Sequence, residues 1–234
     1  MSAALEVRVV AACGLLFEAK IAERLGHVIA IAGGGDAVSL DRQLSEKAVH
    51  GASGIISFGL AGALEPSLKA GDVVIGTGVI AGSQQYPTHE AWAGRMATCL
   101  AQSSKHQAVR APVYGSIVPI SSLLEKSQLR RESGCWIVDM ESLVAARIAT
   151  RLGLPFAVLR VVADDAASAV PNAALVGMRK DGTTDALAVI RALAREPSQT
   201  AALFRLAAAS QKARTSLLGC VRLLEPGLGG IDLG

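Results

Sequence analysis

Residues 135–165 read CWIVDMESLVAARIATRLGLPFAVLRVVADD, and this stretch decides the fold. Trp136, Ile137 and Val138 form a short apolar run, followed by Asp139, Met140, Glu141 and Ser142. Leu143, Val144, Ala146, Ile148, Ala149 and Leu152 then recur at steps of three and four, the spacing of one helix face. Gly153 and Pro155 stop that helix. A second apolar run over residues 156–163 ends in Asp164 and Asp165. Two strands around a helix predict a βαβ unit of a mostly parallel sheet. Ligands of such sheets sit beyond the carboxyl ends of the strands, and Glu141 and Asp164 both fall there.

Working outward, residues 7–12 read as a first strand and Cys13-Gly14 as its turn. A helix over 16–25 carries Glu18 in its first turn, a third acid just past a strand end. The plainer use of Glu18 is an acid favoured by a helix N-terminus. Residues 28–32 form a second strand before Gly33-Gly34-Gly35-Asp36. Such glycines let a phosphate or hydroxyl approach backbone amides. They also make a tight strand-to-helix turn, and the run is not a GxGxxG fingerprint. The apolar run 54–59 predicts a central strand ending at Gly59, with a small-residue turn over 60–64 that allows close backbone approach.

Further on, residues 73–80 predict a strand, 84–88 a loop and 92–100 a helix. Residues 109–120 are extended, and Ser121-Ser122 cap a helix over 123–132. The C-terminal part reads as helices over 183–195 and 197–224. The last holds Arg205, Lys212, Arg214 and Arg222, no acid, and an apolar side. That side closes a core or meets another subunit; the alternative is a basic amphipathic helix on anionic lipid at the inner membrane face. The whole chain, 1–234, predicts one α/β domain, a mixed and mostly parallel twisted sheet flanked by helices. Residues 183–224 form its helical extension.

Composition narrows the function. With 51% hydrophobic residues, 234 residues can bury a large core. A net charge of +3 and 3% aromatics give no footprint for nucleic acid. Cys13, Cys99, Cys135 and Cys220 show neither metal-ligand spacing nor a disulfide framework, so a cytoplasmic setting is expected and no metal or redox cofactor is indicated. No apolar run reaches the roughly 18 residues of a membrane-spanning helix.

Three strand-end carboxylates can divide labour by environment. A poorly solvated carboxyl keeps its proton and can donate it, while a better solvated one stays ionised. Cleavage through an oxocarbenium-like transition state uses that division. Arg160, inside an apolar strand, requires an acid or bound oxyanion as partner.

Three places carry a family resemblance. They are Gly14-Leu15-Leu16-Phe17-Glu18-Ala19-Lys20; Ile55-Ile56-Ser57-Phe58-Gly59-Leu60-Ala61-Gly62 with Leu68-Lys69-Ala70-Gly71-Asp72-Val73-Val74; and Val138-Asp139-Met140-Glu141-Ser142 with Pro155-Phe156-Ala157-Val158-Leu159-Arg160 and Asp164. On these the chain resembles the purine nucleoside phosphorylase / methylthioadenosine nucleosidase superfamily over nearly its whole length. The tail, Pro171-Asn172-Ala173-Ala174-Leu175-Val176 and Arg179-Lys180-Asp181-Gly182, looks most like the hopanoid-associated phosphorylase group. That group is associated with removing adenine from adenosylhopane.

The resemblance implies roles. Asp164 donates a proton toward N7 of the leaving purine. Glu141 accepts hydrogen bonds from the ribose hydroxyls, with Met140 beneath the sugar, and Asp139 counts among the substrate-binding residues. Glu18 orients the attacking water and Arg160 helps hold it. Apart from the resemblance, the backbone freedom of Gly14, Gly35 and Gly59 allows close approach to substrate, and Arg160, Gly14 and the Gly33–Gly35 amides are the groups left to hold a phosphate. Hexameric phosphorylases carry a phosphate-binding arginine where this chain has Glu18 and another near Ser57-Phe58, where none stands. Leu60 replaces a serine. Hydrolysis is therefore favoured, with phosphate as the possible co-substrate otherwise. The segment after Val79 is shorter than in methylthioadenosine nucleosidases, which suits a bulky, lipid-like 5′ group. The superfamily also implies a homo-oligomer. Two other readings stay open: a nucleosidase or phosphorylase for small soluble nucleosides, and a non-catalytic lipid- or partner-binding module.

Overall fold

The structure is a computed structural model and describes residues 8–102, 108–177, 179, 182–183 and 185–224. Its strands are β1 (Val9–Cys13), β2 (Val28–Ala32), β3 (Gly54–Ala63), β4 (Val73–Ala81), β5 (Gln84–Pro87), β6 (Ala108–Gly115), β7 (Ile137–Asp139) and β8 (Phe156–Asp164). Its helices are α1 (Leu16–Ala22), α2 (Ala37–Val49), α3 (Glu90–Leu100), α4 (Leu123–Ser133), α5 (Ser142–Leu152), α6 (Asn172–Leu175), α7 (Ala186–Arg195) and α8 (Thr200–Leu224). Position 7, proposed as the first strand residue, and Lys180 and Asp181 of the tail motif lie outside the described residues.

β3 organises the sheet because it is long enough to serve two partners on one edge. β8 runs parallel along one edge from Ile55 to Gly62. The other edge pairs with β1 over 54–57 and then with β7 at Gly62 and Ala63. β4 divides its edge likewise, between β8 at 73–75 and β5 at 78–81. With β6 joining β4 to β7, strands β3, β8, β4, β6 and β7 close into a ring. β2 and β1 extend from β3, and β5 extends from β4. Five pairings are parallel and three antiparallel.

This topology corrects the βαβ reading. β7 runs antiparallel to β3 while β8 runs parallel to it, and neither β7 nor β8 bonds to the other. Glu141 and Asp164 still approach one place, because Gly62 of β3 pairs with Val138 on one side and Asp164 on the other. Two further readings change. Residues 60–64 are not a turn, since β3 continues to Ala63 with an irregularity at Ala61/Gly62. Residues 84–87 are a strand, held as an antiparallel hairpin partner of β4.

Alternate residues of β1 face opposite sides, the period-2 rule of strands. Val9, Ala11 and Cys13 pack in one core with α1, α3 and the C-terminal half of α8. Val10 and Ala12 pack in the other with α2 and α5. Helix ends follow local chemistry. Asp36 accepts from Ser39 N–H at the start of α2. Ser122 and Glu125 form a capping box on α4, and Gly134 (φ 70°) ends it. Gly153 (φ 65°) ends α5 with its N–H on Ala149 and Thr150 carbonyls. The apolar side of α8 is used within the fold: Ala213, Leu217, Cys220, Val221 and Leu224 are buried. Among the described residues no helix is long and apolar enough to cross a membrane.

Candidate active site

Between its β1 and β7 partners, β3 leaves the edge at residues 59–61 without a paired strand. Side chains satisfy that gap. Leu60 N–H donates to Glu18 Oε1 at 3.0 Å, and the Leu60 carbonyl accepts from Arg160 Nη1 at 3.1 Å. Glu18 Oε2 accepts from the N–H groups of Gly14 (2.8 Å) and Leu15 (3.0 Å), the residues that turn β1 into α1. Three converging backbone N–H groups thus close on one carboxylate, which is buried.

Gly59 makes this approach possible. Its φ is +147°, and a Cβ there would stand 2.5 Å from Glu18 Oε2 and 2.9 Å from Arg160 Nη1. Gly14 has the same use toward Glu141, whose Oε1 lies 2.9 Å from where a Cβ would be. Gly59 therefore serves the carboxylate, not the substrate directly. Gly35 does not join the site: it takes φ 78° in the β2–α2 turn and is absent from the cavity wall. Gly33 N–H bonds the Cys13 carbonyl and Gly34 N–H the Gly14 carbonyl, so these amides are used within the fold.

Arg160 is fully buried and lies behind the cavity, not on its wall. Its Nη2 donates to Ser57 Oγ at 2.5 Å and stands 3.1 Å from Glu141 Oε2, and its Nε is 2.9 Å from Asp139 Oδ2. It therefore anchors carboxylates from behind the cavity, where the resemblance implied contact with the nucleophile. Taking away one partner of such a buried pair costs about 3–5 kcal/mol. Asp139 also accepts from the N–H groups of Glu141 (3.1 Å) and Ser142 (2.8 Å) and from Ser142 Oγ, so it caps α5 and aims Glu141. With the Ser142 proton given to Asp139, Ser142 Oγ accepts from the Ser57 hydroxyl at 2.8 Å.

The acids are tuned by this packing. Burial pushes Glu18 up from its ordinary value, with Arg160 and the three N–H groups opposing. Glu141 is pushed up to about 7, first by burial, against the pull of Arg160 and with Asp139 and Glu18 adding to the rise. Burial also raises Asp164, and Lys126 opposes it.

Glu18, Asp139, Met140, Glu141 and Asp164 line one cavity of about 580 Å³, within the range of small-molecule sites. Beyond the acids its walls are mostly apolar. Val170, Leu175 and Val189 come from the segment through α6 and α7, and Leu203 and Leu206 from α8. Phe17 also lines it, with the Arg214 guanidinium 5.4 Å from its ring centroid. Sequence reading missed Phe17, Ser57 and Lys126. Phe17 lay inside a quoted motif beside Glu18, and Ser57 within another. Lys126 gave no signal, because it stands among the charged and polar residues of α4 and nothing in the pattern marks it as buried. Among the described residues no cluster of three or more His, Cys, Asp or Glu could hold a metal.

A buried acid with raised proton affinity, a second acid held by Arg160 and a third held on backbone N–H groups can together protonate a leaving group and direct a nucleophile. Known proteins share this fold. An S-adenosylhomocysteine nucleosidase from Streptococcus pyogenes, in complex with 5-methylthiotubericidin, superposes with a TM-score of 0.67 at 15% identity, over 96% of this chain and 100% of that one. Futalosine hydrolase of Helicobacter pylori gives 0.65 at 14%, over 93% and 97%. A 5′-methylthioadenosine/S-adenosylhomocysteine nucleosidase from S. pneumoniae gives 0.64 at 14%, over 94% and 100%. No curated protein matches the sequence. The phosphorylase superfamily model matches residues 17–196, from the first turn of α1 to just past α7, and on that match the chain belongs to the phosphorylase superfamily.

Proposed function

We propose that this enzyme hydrolyses the N-glycosidic bond of an adenine nucleoside bearing a large apolar 5′ group, with adenosylhopane as the substrate. One observation carries the choice of water over phosphate: the Glu18 carboxylate occupies the three backbone N–H groups of Gly14, Leu15 and Leu60. Converging amides of this kind are what a phosphate needs. Arg160, the other anion-binding group at hand, is already committed to Ser57, Leu60, Asp139 and Glu141. Glu18 and its neighbours would repel a phosphate dianion. The names of the similar structures, nucleosidase and hydrolase, support the same reading.

In this mechanism Glu141, aimed by Asp139 and Arg160, accepts hydrogen bonds from the ribose hydroxyls. Glu18 orients water toward C1′ and takes one of its protons. The C1′–N9 bond breaks with its electron pair going to the base, and Asp164 gives a proton to N7. Adenine leaves neutral and the water oxygen ends on C1′. The apolar wall from α6 to α8 takes the 5′ substituent.

The test incubates the protein with a soluble short-chain 5′-alkyl analogue, with and without phosphate, and follows adenine and sugar together. Adenine with free sugar, indifferent to phosphate, is expected. Asp164→Asn should lower kcat by at least about 100-fold, the usual scale of general acid catalysis. Adenine only with phosphate, together with a sugar 1-phosphate, would make the enzyme a phosphorylase. Equal turnover of methylthioadenosine would remove the apolar 5′ specificity. Tight binding without adenine release would make the chain a binding module.

A further inference from the structure

Helix α4 has the sequence LLEKSQLRRES, and the one side chain of it that is buried is a lysine. Lys126 is 1% exposed. A lysine is almost never buried so fully unless its charge is matched. Its Nζ has three N–H donors, and three acceptors meet it: Asp164 Oδ2, the Asp165 carbonyl at 2.9 Å and the Ser168 carbonyl at 2.8 Å. The capping box of Ser122 and Glu125 fixes the turn that carries it. The Val170 N–H to Ser121 carbonyl bond (2.9 Å) ties that turn to the segment after β8. A loop clamp alone would need only the two carbonyls. The third bond goes to the acid that lines the cavity.

We propose that Lys126 is a positioning residue for proton delivery to the leaving base: it grips Oδ2 of Asp164, leaves Oδ1 to hand over the proton, and stabilises the carboxylate that remains. This rests on the nucleosidase reading above. Before the step, Asp164 is a neutral acid whose Oδ2 accepts from the ammonium. As C1′–N9 breaks, the proton on Oδ1 passes to N7 and Asp164 becomes an ion-pair partner of Lys126. The contact gains full ion-pair strength as the proton leaves, so its energy favours the transition state over substrate binding. Gly62 of β3 gives the carboxylate room, since a Cβ there would stand 3.1 Å from Oδ2.

The experiment compares two leaving groups, an adenine nucleoside, which must be protonated to leave, and p-nitrophenyl riboside, whose phenolate departs without a proton. In Lys126→Met, turnover of the adenine nucleoside should fall at least 30-fold while the nitrophenyl riboside changes less than threefold. Lys126→Arg keeps the charge and serves if the methionine variant does not fold. Its larger planar head misplaces Oδ2, so it should show the same selective loss, only smaller. Equal losses on both substrates in a folded variant would overturn the assignment and leave Lys126 as a clamp. A wild-type protein that cleaves neither compound would overturn the nucleosidase reading, and the role of Lys126 with it.

Discussion

Glu141 is held between opposing influences, and its protonation should be visible from outside. Burial, Asp139 and Glu18 push it up while Arg160 pulls it down, leaving it near 7 against an ordinary 4.5. In the folded protein it therefore keeps a proton that the unfolded chain has released. Its contribution to stability is full below pH 4.5 and is lost as pH rises through about 7. Burial shifts Glu18 and Asp164 in the same direction. The ligand-free protein should thus melt at a higher temperature at pH 5 than at pH 8. Glu141→Gln should flatten part of that slope, and an unchanged slope would remove Glu141 from the account. The acids themselves were legible in the sequence, because Glu18, Glu141 and Asp164 each follow an apolar run. Arg160 was legible as a charge needing partners, but its place behind the cavity was not. Nothing in a linear pattern says which side of a strand edge stays open. Lys126 was invisible, since it sits among polar and charged residues of α4 and only the end of β8 and the segment after it bury it.

At the scale of elements, α8 shows how one periodicity can serve two surfaces. Leu203, Leu206, Ala207 and Ser210 line the cavity at helical spacing, and Ala213, Leu217, Cys220, Val221 and Leu224 continue that side into the core. The amphipathic pattern read from the sequence was real, but pattern alone does not separate a pocket wall from a core face or a membrane face. The same limit misplaced β7, α5 and β8. Their boundaries came out nearly right, while the direction of β7 depends on pairing with β3, and pairing partners are not written in periodicity. The wall makes a prediction about specificity. Burying an aliphatic group is worth about 1.5–3 kcal/mol. Leu206→Asp should therefore raise KM for a long 5′-alkyl analogue by about 10-fold or more and leave methylthioadenosine turnover within about threefold. Steady-state kinetics on the two substrates decides it, and equal effects would place the 5′ group elsewhere.

Taken whole, the molecule has the α/β layering that composition and apolar runs foretold, but its centre is a closed circuit of strands that no single segment announces. β3, β8, β4, β6 and β7 each have both neighbours within the circuit, whereas β2 and β5 each bond to one strand. A circuit cannot fray from an end. Arg160 and Asp164 lie on β8, inside the circuit, so local opening around them is expected to be costly. The consequence is a two-tier clock for backbone amide hydrogen exchange. Amides of β2 and β5 should exchange through local opening, early and with little dependence on denaturant. Those of β3 and β8 should exchange late, together, and only at the rate at which the whole chain comes apart.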